Sequence, residues 1–395
     1  MAGALLFPDA SPYAEVLARF ARDDGVLPEQ AIREFAARGI IDADTPIGEG
    51  QFQPSSLDLR LGDKAYLVPA SFLPRAGAPF ADRVREFALD EIDLAQPQGS
   101  VLVAGCVYIV ELQERLRLGG GVEAIATPKS STGRLDIFTR LICDGAGEFE
   151  RVPRDYDGRL FIEVSPRSFS IRVRAGERLN QIRFRCGRSS KTLLTDYQMR
   201  QEHRQHRLVG ACNISEDALF DRGLRFSVDL RGRGDGATVV YRARRHPREV
   251  IDLSRIGGYD PAQFWEAVPG PLQDGLILHP DEFYILATVE PVRVPPHLSA
   301  EMVAYDTNIG EFRVHYAGFF DPGFGWDAAD REGGTPAVLE VRAHETPFLL
   351  EHGQHVGRLA YEYLLAPPDR IYGSGIGSNY AKQTLTLAKQ FRRGG

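Results

Sequence analysis

Lys129-Ser130-Ser131-Thr132-Gly133-Arg134-Leu135 and Asp306-Thr307-Asn308-Ile309-Gly310-Glu311-Phe312 head two stretches, 129–184 and 306–361, that overlay without a gap at an offset of 177. Gly133 falls on Gly310, Asp144 on Asp321, Glu163 on Glu340, Val164 on Val341 and Gly176 on Gly353, with apolar matches at Leu135/Phe312, Phe149/Trp326 and Ile182/Leu359. Upstream, Asp58-Leu59-Arg60 answers Asp229-Leu230-Arg231 at an offset of 171, and Tyr108 answers Tyr284 at 176. Polar landmarks coincide along with apolar ones, so internal duplication explains the match better than chance alternation of β-rich sequence. Runs such as Leu57-Asp58-Leu59-Arg60-Leu61 and Leu160-Phe161-Ile162-Glu163-Val164 alternate as half-buried strands do. Neither copy alternates strands with helices, and no GxGxxG or GxxxxGK[ST] occurs, which excludes a doubly wound nucleotide fold. A mainly β protein of two tandem distorted barrels or jelly rolls is expected.

The chain of 395 residues has the length of two domains. Hydrophobic residues at 43% and charged ones at 26% are those of a soluble globular protein, and 40 Gly with 25 Pro favour many short strands and turns. Tyr13, Val16, Leu17 and Phe20, then Ala31, Ile32, Phe35 and Ala36, recur at helical spacing and predict two short N-terminal helices. The expected division is a helical lead over 1–45, a first domain over 46–190, a polar connection over 191–220, a second domain over 221–366 and a flexible closing tail over 367–395. A net charge of −7 recruits neither nucleic acid nor an anionic membrane, so an anionic ligand requires a local cationic cluster. Cys106, Cys143, Cys186 and Cys212 form no CxxC pair, which argues against a zinc site and a secreted disulfide framework and suits a reducing cytoplasm. Met1–Pro8 lacks the pattern of a secretory signal, and no run of 18 apolar residues occurs, so neither export nor membrane insertion is expected.

Four segments carry candidate chemistry. In Lys129-Ser130-Ser131-Thr132-Gly133-Arg134, two hydroxyls, a turn with exposed N–H groups and a guanidinium form either a polyphosphate cradle or an ordinary polar turn. Glu163 and Glu340 each interrupt an apolar strand, as a surface carboxylate or as a general base whose pKa burial raises. Tyr316-Ala317-Gly318-Phe319-Phe320-Asp321-Pro322-Gly323-Phe324 is a good β turn, or a small-residue wall on which a pyrimidine edge is read. The Gly-rich tail, Arg370 to Gln383, is a lid or a frayed terminus.

Together these segments resemble the dCTP deaminase family, which has the deoxyuridine-triphosphatase-like (dUTPase-like) fold. Leu27-Pro28-Glu29-Gln30-Ala31-Ile32 and Gln53-Pro54-Ser55-Ser56-Leu57-Asp58-Leu59-Arg60-Leu61-Gly62 resemble its N-terminal helix and first strand. Ser130-Ser131-Thr132-Gly133-Arg134-Leu135 resembles its Ser-Ser-x-x-Arg-Leu phosphate motif. Ala317-Gly318-Phe319-Phe320-Asp321-Pro322-Gly323-Phe324 resembles its base-reading segment, Glu340 stands at its catalytic glutamate, and Tyr380 with Gln383, flanking Lys382, is similar to its closing Tyr-x-x-Gln. The resemblance implies hydrolytic deamination of dCTP to dUTP and ammonia without zinc. In such a reaction the glutamate activates water for attack on C4, and Mg²⁺ binds through the triphosphate. It also implies dUTP as a ligand, dTTP as a candidate regulator and self-association as an open option. The His-x-Glu and Pro-Cys-x-x-Cys signature of zinc-dependent base deaminases is absent from this sequence.

The two copies depart from the family in complementary ways. Lys129, Ser130, Ser131 and Arg134 become Asp306, Thr307, Asn308 and Glu311 in the second copy, which loses the phosphate cradle. Ala317-Gly318 and Pro322-Gly323 become Arg140-Leu141 and Gly145-Ala146 in the first, which loses the base pocket. One composite site per chain is therefore expected, with Lys129, Ser130, Ser131, Gly133 and Arg134 from the first copy and Ala317, Gly318, Phe319, Asp321 and Glu340 from the second. Glu163 is the second choice as base, in a degenerate site. A deoxyuridine triphosphatase, a bifunctional deaminase–triphosphatase and a nucleotide-binding regulatory module are the competing readings.

Overall fold

The computed structural model describes residues 12–74, 77–187, 189–234, 236–303, 312–315, 318–343, 345–373 and 385–393. The protein is mainly β, with 40% of the described residues in strands and 14% in helices. In the first half one sheet runs Gly25–Val26, Asn180–Cys186, Val122–Pro128, Arg151–Val152, with Leu57–Leu59 also on Asn180–Cys186. The facing sheet runs Asp90–Asp93, Leu61–Val68, Val107–Arg117, Asp157–Pro166, Ile137–Cys143. The second half repeats the plan. Leu224–Ser227, His355–Tyr363, Leu298–Val303 and Phe319–Phe320 form one sheet, and Trp265–Pro269, Thr238–Ala243, Phe283–Val292, Thr335–Ala343 and Phe312–His315 the other. The expected helices are Pro12–Leu17 and Glu29–Ala37, the latter burying Ala31, Ile32 and Phe35.

Individual hydrogen bonds repeat between the halves. Glu163 is opposite Ile109 and Glu340 opposite Ile285. Val103 N–H donates to the Tyr108 hydroxyl at 2.9 Å, as His279 N–H does to Tyr284 at 3.0 Å. Two details of the sequence overlay are corrected. Leu57 pairs with Ile182 and Leu224 with Leu359, so the first strands correspond at an offset of 167 (57 to 224), not 171. The carboxylates agree: Glu114 accepts from Arg60 N–H and Glu290 from Ser227 N–H, each at 2.8 Å. The counterpart of Asp58-Leu59-Arg60 is thus Arg225-Phe226-Ser227, and Asp229-Leu230-Arg231 lies beyond it. Next to the glutamates, Arg140 is opposite Glu163 while His315 is opposite Glu340, an offset of 175 (140 to 315) that requires a gap.

The polar stretch 191–220 is not a loose connection. It contains the helices Asp196–His206 and Glu216–Leu219, and it buries Met199, Leu208 and Leu219 in the second core. The chain end is not free either. Among residues 385–393, Leu387, Ala388 and Phe391 are buried, and the Phe391 ring lies 5.5 Å from Phe264 and 6.0 Å from Trp265. Those two rings pack on Phe169 of the first half at 5.6 and 5.4 Å, so the first core extends across the seam between the halves. Ile171–Val173 also pairs with Ile251–Asp252, in parallel, across that seam. Among the described residues no helix is long and apolar enough to cross a membrane.

Candidate active site

At the end of strand Val122–Pro128 the chain makes a single helical turn, Ser130–Gly133, whose entry is fixed by Lys129 N–H donating to Leu179 C=O at 2.9 Å. Thr132 Oγ1 donates to the same carbonyl at 2.8 Å, so Thr132 anchors the turn while Ser130 and Ser131 face a cavity of about 610 Å³. Lys129 is ion-paired with buried Asp58, and the Arg178 guanidinium lies 3.4 Å from the same carboxylate. Arg134 is buried and donates to Thr386 C=O at 2.8 Å, which ties the motif to the docked chain end. Lys389 comes with that chain end, and its pKa is held down by burial and then by Lys129 and Arg178. Lys129, Arg134, Arg178 and Lys389 thus gather on one cavity, beside the carboxylates of Asp58 and Glu177.

The opposite wall comes from the second half. Glu340 is buried in strand Thr335–Ala343 and lines the cavity. Burial pushes its carboxyl up to about 8, and the Arg134 guanidinium pulls in the other direction. Phe319, Phe320 and Asp321 line the same space, with Gly318 at their start. Asp321 Oδ1 accepts from Ser55 Oγ at 2.8 Å and lies 3.9 Å from Arg183; burial raises its pKa, and Arg183 opposes the shift. Gly323 has φ +97°, and a Cβ there would come within 2.8 Å of Ile371 Cβ and Tyr372 N, so only Gly lets the tail cross the Asp-Pro-Gly turn. Tyr372 N–H donates to Pro322 C=O at 2.8 Å, and Tyr372 lines the cavity.

The structure thus brings Lys129, Ser130, Ser131, Arg134, Gly318, Phe319, Asp321 and Glu340 of one chain to one cavity. Gly133 is the buried last residue of the turn. Ala317, Tyr380, Lys382 and Gln383 lie outside the described residues, as do Asp306, Thr307, Asn308 and Glu311. Glu163 is not the exposed strand carboxylate that alternation suggests. It is buried, and Arg140 donates to its Oε1 from Nη2 at 2.8 Å and from Nε at 3.1 Å. The Arg140 guanidinium is stacked 3.6 Å from the Phe149 ring. Both faces of strand Asp157–Pro166 are covered, because helix Phe80–Phe87 lays Phe80 and Val84 on Ile109, Ile142 and Phe161. Asp144, the counterpart of Asp321, accepts from Phe80 N–H at 2.6 Å and so serves the helix instead of a ligand.

Sequence reasoning missed Arg183, which is fully buried in the first half. It donates to Ala300 C=O at 3.2 Å and Ser55 Oγ at 3.1 Å, and lies 3.9 Å from the Phe319 ring centroid. It therefore supports the second half's pocket segment from behind. It also missed the pair of Asp136 and Arg342. Arg342 Nε donates to Asp136 Oδ1 at 3.2 Å, its Nη2 bonds Oδ2, and Ser168 Oγ donates to Oδ2 at 2.6 Å. The one signal was an Asp and an Arg each two residues beyond a candidate, Arg134 and Glu340.

Residues 23–188 match the family model of the N-terminal domain of 2'-deoxycytidine 5'-triphosphate deaminase, and residues 195–391 that of its C-terminal domain. A dCTP deaminase, dUMP-forming, from Corynebacterium glutamicum is 32% identical over 181 residues, 42% of this chain and 91% of that protein. One of the same description from Sulfurihydrogenibium sp. is 28% identical over 163 residues, 40% and 82% of the two chains. The crystal structure of 2'-deoxycytidine 5'-triphosphate deaminase from Agrobacterium tumefaciens matches with a TM-score of 0.80 at 48% identity, covering 88% of this chain and 100% of that one. The named relatives and the structural match indicate a hydrolytic deaminase. The chain belongs to the dCTP deaminase family.

Proposed function

We propose that this chain deaminates dCTP to dUTP and ammonia, without zinc at the reacting carbon, at one composite site per chain that arose by duplication. The observation that carries the reading is that Arg134 of the first half and Glu340 of the second line one cavity, while the Glu163 position is filled by Arg140 and a helix. Lys129, Ser130, Ser131 and Arg134 hold the triphosphate, and Phe319 to Asp321 flank the base. Glu340 takes a proton from water as the oxygen bonds to C4 and passes it to N3; it then takes the remaining proton from the new C4 hydroxyl and delivers it to the amino group, so that C4=O forms as the C4–N bond breaks and ammonia leaves. Mg²⁺ fits as a companion of the nucleotide: buried Asp58 Oδ1 has no hydrogen-bond partner among the described residues and is a hard oxygen donor beside the phosphate motif. When bound, the ion neutralises phosphate charge. Deamination should therefore depend on Mg²⁺ and survive a zinc-selective chelator, as an ammonia-release assay would show; loss of turnover on zinc removal would overturn the mechanism.

Arg134→Ala should weaken dCTP by about 10- to 150-fold, the equivalent of a charge-assisted hydrogen bond of roughly 1.5–3 kcal/mol. Mixing Arg134→Ala and Glu340→Gln chains, at a dCTP concentration where each alone turns over slowly, tests the intrachain site. No recovery is expected, whereas substantial recovery would place the halves of each site on different chains.

A second reading, deamination followed by triphosphate hydrolysis, is favoured by the dUMP-forming description of the relatives and by Glu177. That residue lines the cavity beside Arg178, and neither of its carboxylate oxygens has a hydrogen-bond partner among the described residues. Burial pushes its carboxyl up to about 7, suiting it as a second base. Release of ammonia alone from dCTP supports the first reading. Release of pyrophosphate as well, lost selectively in Glu177→Gln, supports the second.

A further inference from the structure

Away from the cavity, Glu202, His206 and His297 bring one carboxylate oxygen and two imidazole nitrogens within 4.8 Å of one another, and none of the three lines the nucleotide cavity. Glu202 and His206 stand four residues apart on helix Asp196–His206, so they share a face. The helix is fixed at its start by a capping box between Thr195 and Gln198. His297 reaches that face from the turn before strand Leu298–Val303, where its own carbonyl accepts from Leu364 N–H at 3.1 Å. Its Nε2 lies 2.9 Å from Glu202 Oε2, and His206 Nε2 lies 3.9 Å from the same oxygen. The two imidazole rings are 4.8 Å apart, centre to centre. Tyr363 donates to the other carboxylate oxygen, Oε1, at 3.3 Å and carries the Arg22 guanidinium 3.8 Å from its ring centroid. Glu202 is thus oriented from behind in the way that outer partners orient a metal ligand.

We propose that Glu202, His206 and His297 bind a divalent transition metal ion of the zinc class, pinning the helix between the halves to the second half. The argument is one of donor set and access. Two imidazoles and one carboxylate are the ligands borderline ions such as Zn²⁺ take, with a further position left for water. Relative exposures of 14% for Glu202, 31% for His297 and 39% for His206 leave a path for a hydrated ion. Closing the 3.9 Å separation to the spacing of ligands about 2.1 Å from one ion takes a side-chain rotation of His206, whose place in the last turn of the helix permits it. Strand Leu298–Val303 pairs with Phe319–Phe320 of the base pocket, but none of the three ligands reaches the nucleotide cavity, so removing the ion should leave deamination intact.

The experiment is titration of the metal-free full-length protein with Zn²⁺ alone, and with Co²⁺ alone to record its visible ligand-field absorption. One equivalent per chain is expected. His206→Ala should weaken it at least 100-fold and abolish the Co²⁺ bands, and Tyr363→Phe should weaken it roughly 10- to 100-fold. His206 is partly exposed at a helix end, so His206→Ala is expected to fold; Glu202→Gln provides an independent second variant. The proposal is overturned if the native protein binds no stoichiometric metal, or if both His206→Ala and Glu202→Gln retain native affinity, which would place the ion at a cysteine or in the nucleotide cavity.

Discussion

Glu340→Gln is expected to lower the turnover of dCTP by roughly 100-fold or more, the contribution of a positioned general base, while leaving nucleotide affinity nearly unchanged. Gln keeps the shape and one carbonyl acceptor but cannot take the proton from water. Glu163→Gln should leave turnover near native, because that carboxylate is already committed to Arg140. The reverse pattern in steady-state kinetics would exchange the roles of the two halves. The pH profile adds a second readout. A base must be ionised, and burial pushes Glu340 up to about 8, so log kcat/KM should rise with pH and level off near that value. The same shift predicts a stability effect of defined sign. The folded state holds the Glu340 proton from about pH 4.5, where the unfolded chain releases it, up to about 8. Stability should therefore fall across that window by up to about 1.4 kcal/mol per pH unit. Glu340→Gln should consequently raise Tm relative to the native protein at pH 8 and change it little at pH 4.5, as calorimetry would test.

Arg342→Met is expected to cost about 3–5 kcal/mol of stability, because it leaves the fully buried Asp136 carboxylate without its cation. Asp136 has φ +56°, a conformation that Asn tolerates, so Asp136→Asn removes the charge without adding backbone strain. The double variant Asp136→Asn, Arg342→Met should recover much of the loss in urea unfolding, since neither charge is then left alone. These are positioning residues. Arg342 follows Glu340 by two on strand Thr335–Ala343 and shares its face, while Asp136 follows Arg134 by two, so the pair holds guanidinium and carboxyl across the cavity from each other. Because Arg134 opposes the upward shift of Glu340, loosening the pair should move the kcat/KM inflection upward. An unchanged inflection in the folded single variants would leave Asp136 and Arg342 with a structural role only.

The strand alternation, the repeated Gly, Asp and Glu landmarks and the phosphate motif were legible along the chain because each depends on residues close in sequence. Two halves of β sheet, the exchange of a cationic turn for an acidic one and the loss of Ala-Gly from the first half all follow from such local patterns. Short identities were less dependable. Asp58-Leu59-Arg60 matched Asp229-Leu230-Arg231 in letters, yet the ladder sets Leu57 beside Ile182 and Leu224 beside Leu359, because strand register obeys hydrogen bonds and burial, not three-residue identity. The polar run 200–207 looked like a linker because helix Asp196–His206 buries only Met199 and His203.

The sequence by itself determined the mainly β class, the two halves and the family resemblance, with the cationic motif in one half and the Ala-Gly segment and Glu340 in the other. The tertiary structure alone decided that Arg134 and Glu340 share a cavity, that Arg183 supports the opposite half's pocket, and that Asp136 and Arg342 pin the halves together. It also decided that helix Phe80–Phe87 fills the space beside Glu163 and that the chain end docks beside the phosphate motif. The physical reason is separation along the chain. Periodicity and turn chemistry act over a few residues, whereas desolvation and charge pairing depend on groups such as Arg134 and Glu340, or Asp136 and Arg342, that meet only when the two halves close on one another.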